Sequence, residues 1–359
     1  MNASPEVEFR PLTVPASIDA ADAADFIEMV AVRNTVYREI SGSDDEAMSP
    51  EELLPYFAPD PDETRRMWVV VEGGRIVGRV GVDIPHEAGS RVAFWLIELL
   101  ESAQGRGIGT RAYELVEQTA REFGRTVLQS WAEHPDAPGE RLDSPTGFGS
   151  IPIDRPARFY RRLGYVLEQV ERKSLLDLAE SRAEIDRLLD VARAASTGYR
   201  VVQWTAPTPP EHVAGYAWAK SRMSTDAPSA AMEFDEETWD AERIARHDAR
   251  YLESGRTVLV TAAVHEASGD VVAFNELVIG EDHAAVTHQE DTLVLKEHRG
   301  HKLGLLVKCA GLVAWREVAP ASPRVITWNA EENRPMLDIN EAIGFAPAAY
   351  NGAWKKVLA

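Results

Sequence analysis

Gln104-Gly105-Arg106-Gly107-Ile108-Gly109-Thr110 lies between a strand-like run and a helix-like run, and its reading decides the fold. Upstream, Arg91-Val92-Ala93-Phe94-Trp95-Leu96-Ile97-Glu98-Leu99 reads as a long central strand. Downstream, Ile108, Ala112, Leu115, Val116, Thr119, Ala120 and Phe123 fall on one face of a helix. Glycines between the two let the backbone approach a ligand with no Cβ in the way. The free N–H groups of the first helical turn then face that ligand, and the helix dipole favours an anion. Arg106 and Arg111 add cationic side chains. In a chain of formal net charge -20, this local reversal of charge points to a bound phosphate.

The pattern occurs twice. His298-Arg299-Gly300-His301-Lys302-Leu303-Gly304 follows a strand ending at Leu293-Val294-Leu295, and opens a helix whose buried face is Leu303, Leu306, Val307, Ala310, Val313 and Ala314. Gln104 matches Arg299, an offset of 195, and Gly164-Tyr165 matches Gly344-Phe345, an offset of 180. The difference of 15 fits one net insertion in the first copy, in the Pro/Gly/Ser-rich stretch from His134 to Arg155. Around these anchors the order of elements repeats, with hairpin strands before the central strand, a strand after the loop helix, a short helix, and a closing strand. A chain of 359 residues exceeds what one core usually supports. The expectation is two like domains, 1–178 and 197–359, joined by a helical linker at 179–196 whose Ile185, Leu188, Leu189 and Val191 pack on a domain.

Composition removes several classes. The N-terminus, Met1-Asn2-Ala3-Ser4-Pro5-Glu6, has neither a basic start nor an apolar stretch, and no run approaches the length of a membrane span. The single cysteine, Cys309, excludes an internal disulfide and a CxxC site, and on the apolar face of its helix it reads as packing material rather than a nucleophile. His298 and His301 have no third ligand at metal spacing, so no metal is expected. The acidic balance argues against nucleic acid and anionic membrane. These features place the chain in the cytoplasm, as a monomer or homodimer. Neither loop carries the GK[ST] of a Walker A motif. The first only imitates a dinucleotide fingerprint, and the second cannot be read that way.

The pattern [Q/R]-x-x-G-x-[G/A] between strand and helix resembles the GNAT acetyltransferase superfamily. The first copy has Gln104, Gly107 and Gly109; the second has Arg299 and Gly304, with Lys302 where glycine is usual. Leu99 and Val294, five residues before, match the family's aliphatic position. Phe159-Tyr160-Arg161-Arg162-Leu163-Gly164-Tyr165 resembles the family's later Y-x-K-x-G-[FY] helix, and Asn333 with Asn340-Glu341-Ala342-Ile343-Gly344-Phe345 resembles it again. The tandem arrangement is similar to mycothiol synthase and other actinobacterial two-domain members. The resemblance implies an α/β (α+β) protein of two GNAT-like domains, each a mixed, mostly antiparallel sheet flanked by helices. It implies acetyl transfer from acetyl-CoA to a primary amine of a small acceptor in a ternary complex.

The resemblance also assigns residues. Pyrophosphate would rest on Gln104, Gly105, Arg106, Gly107, Ile108, Gly109 and Thr110, and on Arg299, Gly300, His301, Lys302, Leu303 and Gly304. Pantetheine would lie where the central strand and the next one splay, near Leu99, Val294 and Asn333, though Asn333 equally suits a helix N-cap. A bulge in the central strand would aim an N–H at the thioester oxygen. Tyr160 is the general-acid position; Asn340 replaces it in the second copy and cannot act as an acid. Candidate bases are Glu98, Glu290 and Asp291, with His288 on the same strand, and a bulge would decide which face each takes. Trp131 and Trp328 end equivalent strands, where they pack in a core or wall a channel. The first copy keeps both glycines and the tyrosine, which favours it as the competent one. The analogy with the tandem relative favours the second. A CoA-binding sensor or scaffold is the alternative.

Overall fold

A computed structural model describes residues 6–358. In chain order, the first half runs β1 (Val7–Pro11), α1 (Ala24–Ser41), α2 (Pro50–Leu53), β2 (Glu63–Glu72), β3 (Arg75–Pro85), β4 (Val92–Leu99), α3 (Ile108–Glu122), β5 (Val127–His134), β6 (Arg141–Asp143), β7 (Ser150–Pro152), α4 (Arg155–Arg162) and β8 (Val166–Asp177). The second half runs α5 (Arg182–Ala195), β9 (Tyr199–Thr205), α6 (Pro210–Ser221), α7 (Met223–Asp226), α8 (Ala241–Glu253), β10 (Thr257–His265), β11 (Val271–Ile279), β12 (Thr287–Val294), α9 (Leu303–Val318), β13 (Arg324–Ala330), α10 (Arg334–Ile343) and β14 (Ala346–Val357). The small hairpin of β6 and β7 falls inside the inferred insertion. No helix among the described residues is long and apolar enough to cross a membrane.

The chain divides into two compact units that do not follow the two copies end to end. The first holds residues up to Val170, Ala230–Glu233, and residues from Tyr350 onward. Its strands pair in the order β1-β2-β3-β4-β5-β14, and only β4 and β5 run parallel. Alternation along β2 explains the layers. Val70 faces a core built with α3 and α4, through Ile108, Val116 and Ala157. Val69 and Val71 face the other side, where α1 lays down Phe26, Met29 and Val30. Phe123, expected on the buried face of α3, is instead the C-cap residue just past the helix end at Glu122, and about a third of it (36%) is exposed.

The second unit holds Glu171–Ser229 and Phe234–Ala349. Its strands pair as β9-β10-β11-β12-β13-β8, again with one parallel pair, β12 and β13. Every residue of β11 is buried, because helices cover both faces of the strand. Phe274 meets Tyr216 of α6 on one face, while Asn275 and Leu277 approach Gly311 of α9 on the other. A Cβ at Gly311 would sit 3.1 Å from the Thr261 hydroxyl, so glycine lets α9 lie close to the sheet. In α9 every residue from Leu303 to Leu312 is buried, a wider span than one face, because α5 packs Ile185, Leu188 and Leu189 into the same core. Val191 of α5 points to solvent instead.

Each unit is therefore closed by a strand from the other copy of the repeat. β5 takes the chain's last strand as its neighbour, from Tyr350↔His134 to Val357↔Val127. β13 takes the strand that ends the first copy, from Ala330↔Glu171 to Arg324↔Asp177.

Candidate active site

Both loops adopt one backbone form. A single turn of 3-10 helix, Glu101–Ala103 or Lys296–His298, leads into each. The next side chain then ties back to the strand end. Gln104 donates from Nε2 to the Leu99 carbonyl at 2.9 Å, and Arg299 donates from Nε to the Val294 carbonyl at 3.2 Å. Gly105 and Gly107 take left-handed φ angles of 72° and 83°. Gly300 and Lys302 repeat this at 90° and 55°. Lys302 thus occupies the conformation that glycine holds in the first copy, at a cost of about 1–2 kcal/mol. Leucine and isoleucine follow, with their helix-opening N–H groups lacking intrahelical partners. Both loops fit a pyrophosphate by this test.

Their side chains differ. Arg106 is already engaged with Glu72 through both terminal nitrogens. Arg111 donates to the Val7 carbonyl at 3.1 Å. In the second loop His298 contacts the Tyr199 hydroxyl at 3.0 Å, and the His265 and His301 rings surround the same tyrosine at 5.3 and 5.4 Å.

Beyond each loop the two parallel strands separate. β4 and β5 pair only from Val92↔Val127 to Phe94↔Gln129, yet both continue for five more residues. β12 and β13 pair only at Thr287↔Val325 and His288↔Ile326. Each cleft lies between strand edges that have parted, where an amide-bearing chain could be bound.

The central strands part company here. β4 pairs with β3 without interruption from Gly78↔Leu99 to Asp83↔Phe94. β12 pairs with β11 at Leu277↔Gln289 and then at Asn275↔Thr292, which leaves Glu290 and Asp291 opposite Glu276 alone. That is a bulge, two residues facing one. Counting back from Leu99 and Val294, Glu290 corresponds to Trp95.

The consequences for the candidate bases are direct. Glu98 lies in a bidentate pair with Arg79, at 2.7 and 3.0 Å, with both side chains mostly buried. Its charge, together with burial, pushes the nearby Tyr37 hydroxyl up to about 12. Glu290 is exposed on β12, at the bulge. Desolvation raises its carboxyl pKa, Arg256 and Lys220 pull it back, and Asp291 and Glu276 raise it further. Asp291 accepts from Lys220 Nζ at 2.6 Å, and Lys220 also reaches Glu276 at 3.1 Å. Burial works against the Lys220 charge, but these two carboxylates outweigh it and hold the group as an ammonium. The Trp239 ring lies 4.9 Å from that ammonium.

Tyr160 is buried, its hydroxyl 2.7 Å from Ser130 Oγ and its ring stacked on Trp354 at 4.9 Å. Desolvation raises its pKa above the ordinary tyrosine value. Trp95 packs against Tyr113, Tyr160 and Tyr165 at 5.4–5.6 Å, so an aromatic cluster fills the first unit behind its loop. Asn340 is also buried, between Lys308 of α9 and Asn329 of β13. Asn333 stands at the N-cap of α10 and its side chain makes no capping bond, which leaves the amide available. Trp131 meets Phe94 at 5.9 Å, and Trp328 stacks with His288 at 6.2 Å. The Cys309 thiol is buried and pushed up to about 12 by desolvation, as befits packing material.

Sequence reasoning passed over Lys220, Glu276 and Lys308. The signal for the lysines was present: both interrupt the apolar faces of α6 and α9.

The Acetyltransferase (GNAT) family model matches residues 32–142, which span α1 to β6 of the first copy. No curated protein matches the sequence. Among solved structures, a tandem GNAT protein from the clavulanic acid biosynthesis pathway superposes with a TM-score of 0.74 at 25% identity, covering 98% of each chain. A GCN5-related N-acetyltransferase from Sphaerobacter thermophilus superposes at 0.59 with 15% identity, over 98% of this chain and 95% of that one. A putative acetyltransferase from Pyrococcus horikoshii gives 0.53 at 11% identity, over 98% and 90%.

Proposed function

We propose that this chain is a tandem GNAT acetyltransferase that transfers the acetyl group of acetyl-CoA to a primary amine, with the second copy as the catalytic centre; the family match over residues 32–142 and the likeness to a tandem GNAT structure support the reading. The observation that carries the choice of copy is the bulge at Glu290 and Asp291, which sets a carboxylate of raised pKa beside a splayed strand pair. The loop of residues 299–304 holds the pyrophosphate on its helix-opening N–H groups. A backbone N–H freed by the bulge donates to the thioester oxygen, where negative charge develops. Glu290 takes a proton from the acceptor ammonium, directly or through water, so that the neutral amine attacks. Lys220 ties up both Asp291 and Glu276 in ion pairs, which leaves Glu290 as the carboxylate for that task. Transfer is direct, in a ternary complex, and the single buried thiol fits a cytoplasmic protein.

The first copy holds CoA without turning it over. Its loop has the competent backbone, but Trp95 stands where the second copy has Glu290, and Glu98 is tied to Arg79. Calorimetric titration with acetyl-CoA, followed by turnover with a panel of amines, tests both statements. Two binding sites and one active copy are expected. No binding by a folded sample would overturn the acyltransfer reading. Binding without turnover of any amine would favour a CoA sensor.

A further inference from the structure

Lys308 has no exposed surface, and its ammonium lies inside the second unit. It donates to Asn340 Oδ1 at 2.8 Å, and Asn340 donates from Nδ2 to Asn329 Oδ1 at 2.7 Å. In its ammonium form Lys308 has no acceptor atom, and it then fixes the first amide with its carbonyl inward. That amide must then turn its N–H toward Asn329, and Asn329 must answer with its carbonyl. The Nδ2 of Asn329 is left over, without a protein partner among the described residues. Asn329 is half-buried on β13, beyond the last pair His288↔Ile326, where the strands have separated. The direction of the whole chain is thus set at its buried end, and a donor is left over on β13, the strand that borders the cleft.

Asn340 stands at the position that Tyr160 holds in the first copy. A lysine there is expensive for packing alone, since methionine would fill the space without desolvating a charge.

We propose that the Lys308–Asn340–Asn329 chain replaces the missing tyrosine of the second copy, with Lys308 as a positioning residue and the Asn329 amide as the donor that stabilises the coenzyme sulphur as it leaves. This rests on the reading of the β12–β13 cleft as the acyl-CoA site. In the transfer the amine lone pair forms the C–N bond, and the C–S bond breaks with its electrons on sulphur. Glu290 holds the proton first taken from the ammonium, the nitrogen sheds its second proton to solvent after addition, and the Asn329 N–H hydrogen-bonds the thiolate, which takes its own proton from solvent. No proton crosses the amides; the charge at the far end polarises each bond in turn. Burial draws Lys308 down to about 7, and the Cys309 thiol is the one other titratable group that acts on it. A thiolate at the cleft favours the ammonium form.

Coenzyme A itself is the probe, bound to the full chain with the first loop closed by Gly107→Trp. The ultraviolet absorbance of its thiolate is followed between about pH 6 and 10. The bound thiol is expected to ionise about one unit lower in this protein than after Lys308→Met, and Asn329→Ala should abolish the same shift. Asn329→Ala leaves Lys308 and Asn340 paired, so it reports even where Lys308→Met fails to fold. Identical titrations with CoA bound would overturn the relay alone. Failure to bind CoA would overturn the acyl-CoA reading with it.

Discussion

The two loops are alike where the strands leading into them are not. Gly107 and Lys302 share a left-handed conformation, and Gln104 and Arg299 tie back to the strand five residues earlier. Yet β4 runs true against β3, while β12 bulges opposite Glu276. The first copy has kept the sequence signature that the family model matches, and has filled its centre with Trp95, Tyr113, Tyr160 and Tyr165. The second has lost a glycine and the tyrosine, but keeps a carboxylate in a cleft. Binding and turnover are separable demands on one fold, since an anion needs only oriented N–H groups, whereas chemistry needs a base, a donor and room between them.

Four measurements would sharpen or break this contrast. The largest effect is expected from Glu290→Gln, which should lower turnover about 10²–10⁴-fold with acetyl-CoA affinity unchanged, while Tyr160→Phe leaves turnover within about threefold. The opposite pattern would move catalysis to the first copy. A pH profile is the second. Because the Glu290 pKa is raised and a base must be ionised, the rate should fall as pH drops through a value above the ordinary carboxylate range. A profile flat down to about pH 4 would remove Glu290 as the base.

The third concerns stability. Burial depresses Lys308 from 10.5 to about 7, so between these values the unfolded chain binds the extra proton. Stability should therefore rise with pH across that window, by a few kcal/mol, and Lys308→Met should flatten the rise. Denaturant melts at about pH 7 and 10 would read it, and parallel curves would mean that the lysine is solvated. The smallest effect belongs to Lys302→Gly. Releasing the left-handed side chain should stabilise the chain by about 1 kcal/mol without loss of CoA binding. A loss of binding would show that the Lys302 cation matters more than the backbone it strains.

Both loops were legible because their chemistry is local, a spacing of glycines and cations ahead of an apolar helix face. The repeat was legible for the same reason. The bulge was not, because register belongs to two strands at once, and nothing in Gln289-Glu290-Asp291-Thr292 says what lies opposite. Glu98 read as a candidate base because its partner Arg79 stands on a different strand. Lys220 and Lys308 were hidden by habit: a lysine on a helix is taken for a solvated side chain, and both of these are buried. Which closing strand serves which unit was not legible either, since Val166–Asp177 and Ala346–Val357 are each twelve residues long and compatible with either place.

That exchange of closing strands has a consequence for synthesis. The first unit lacks the neighbour of β5 until Tyr350 to Val357 have been made. At about 5–20 residues per second, a ribosome finishes those residues many seconds after β5 has emerged. The part of the protein that is born first is thus among the last to be completed. A stop codon shortly before Tyr350 should unravel the opening half of the polypeptide rather than merely trim its tail.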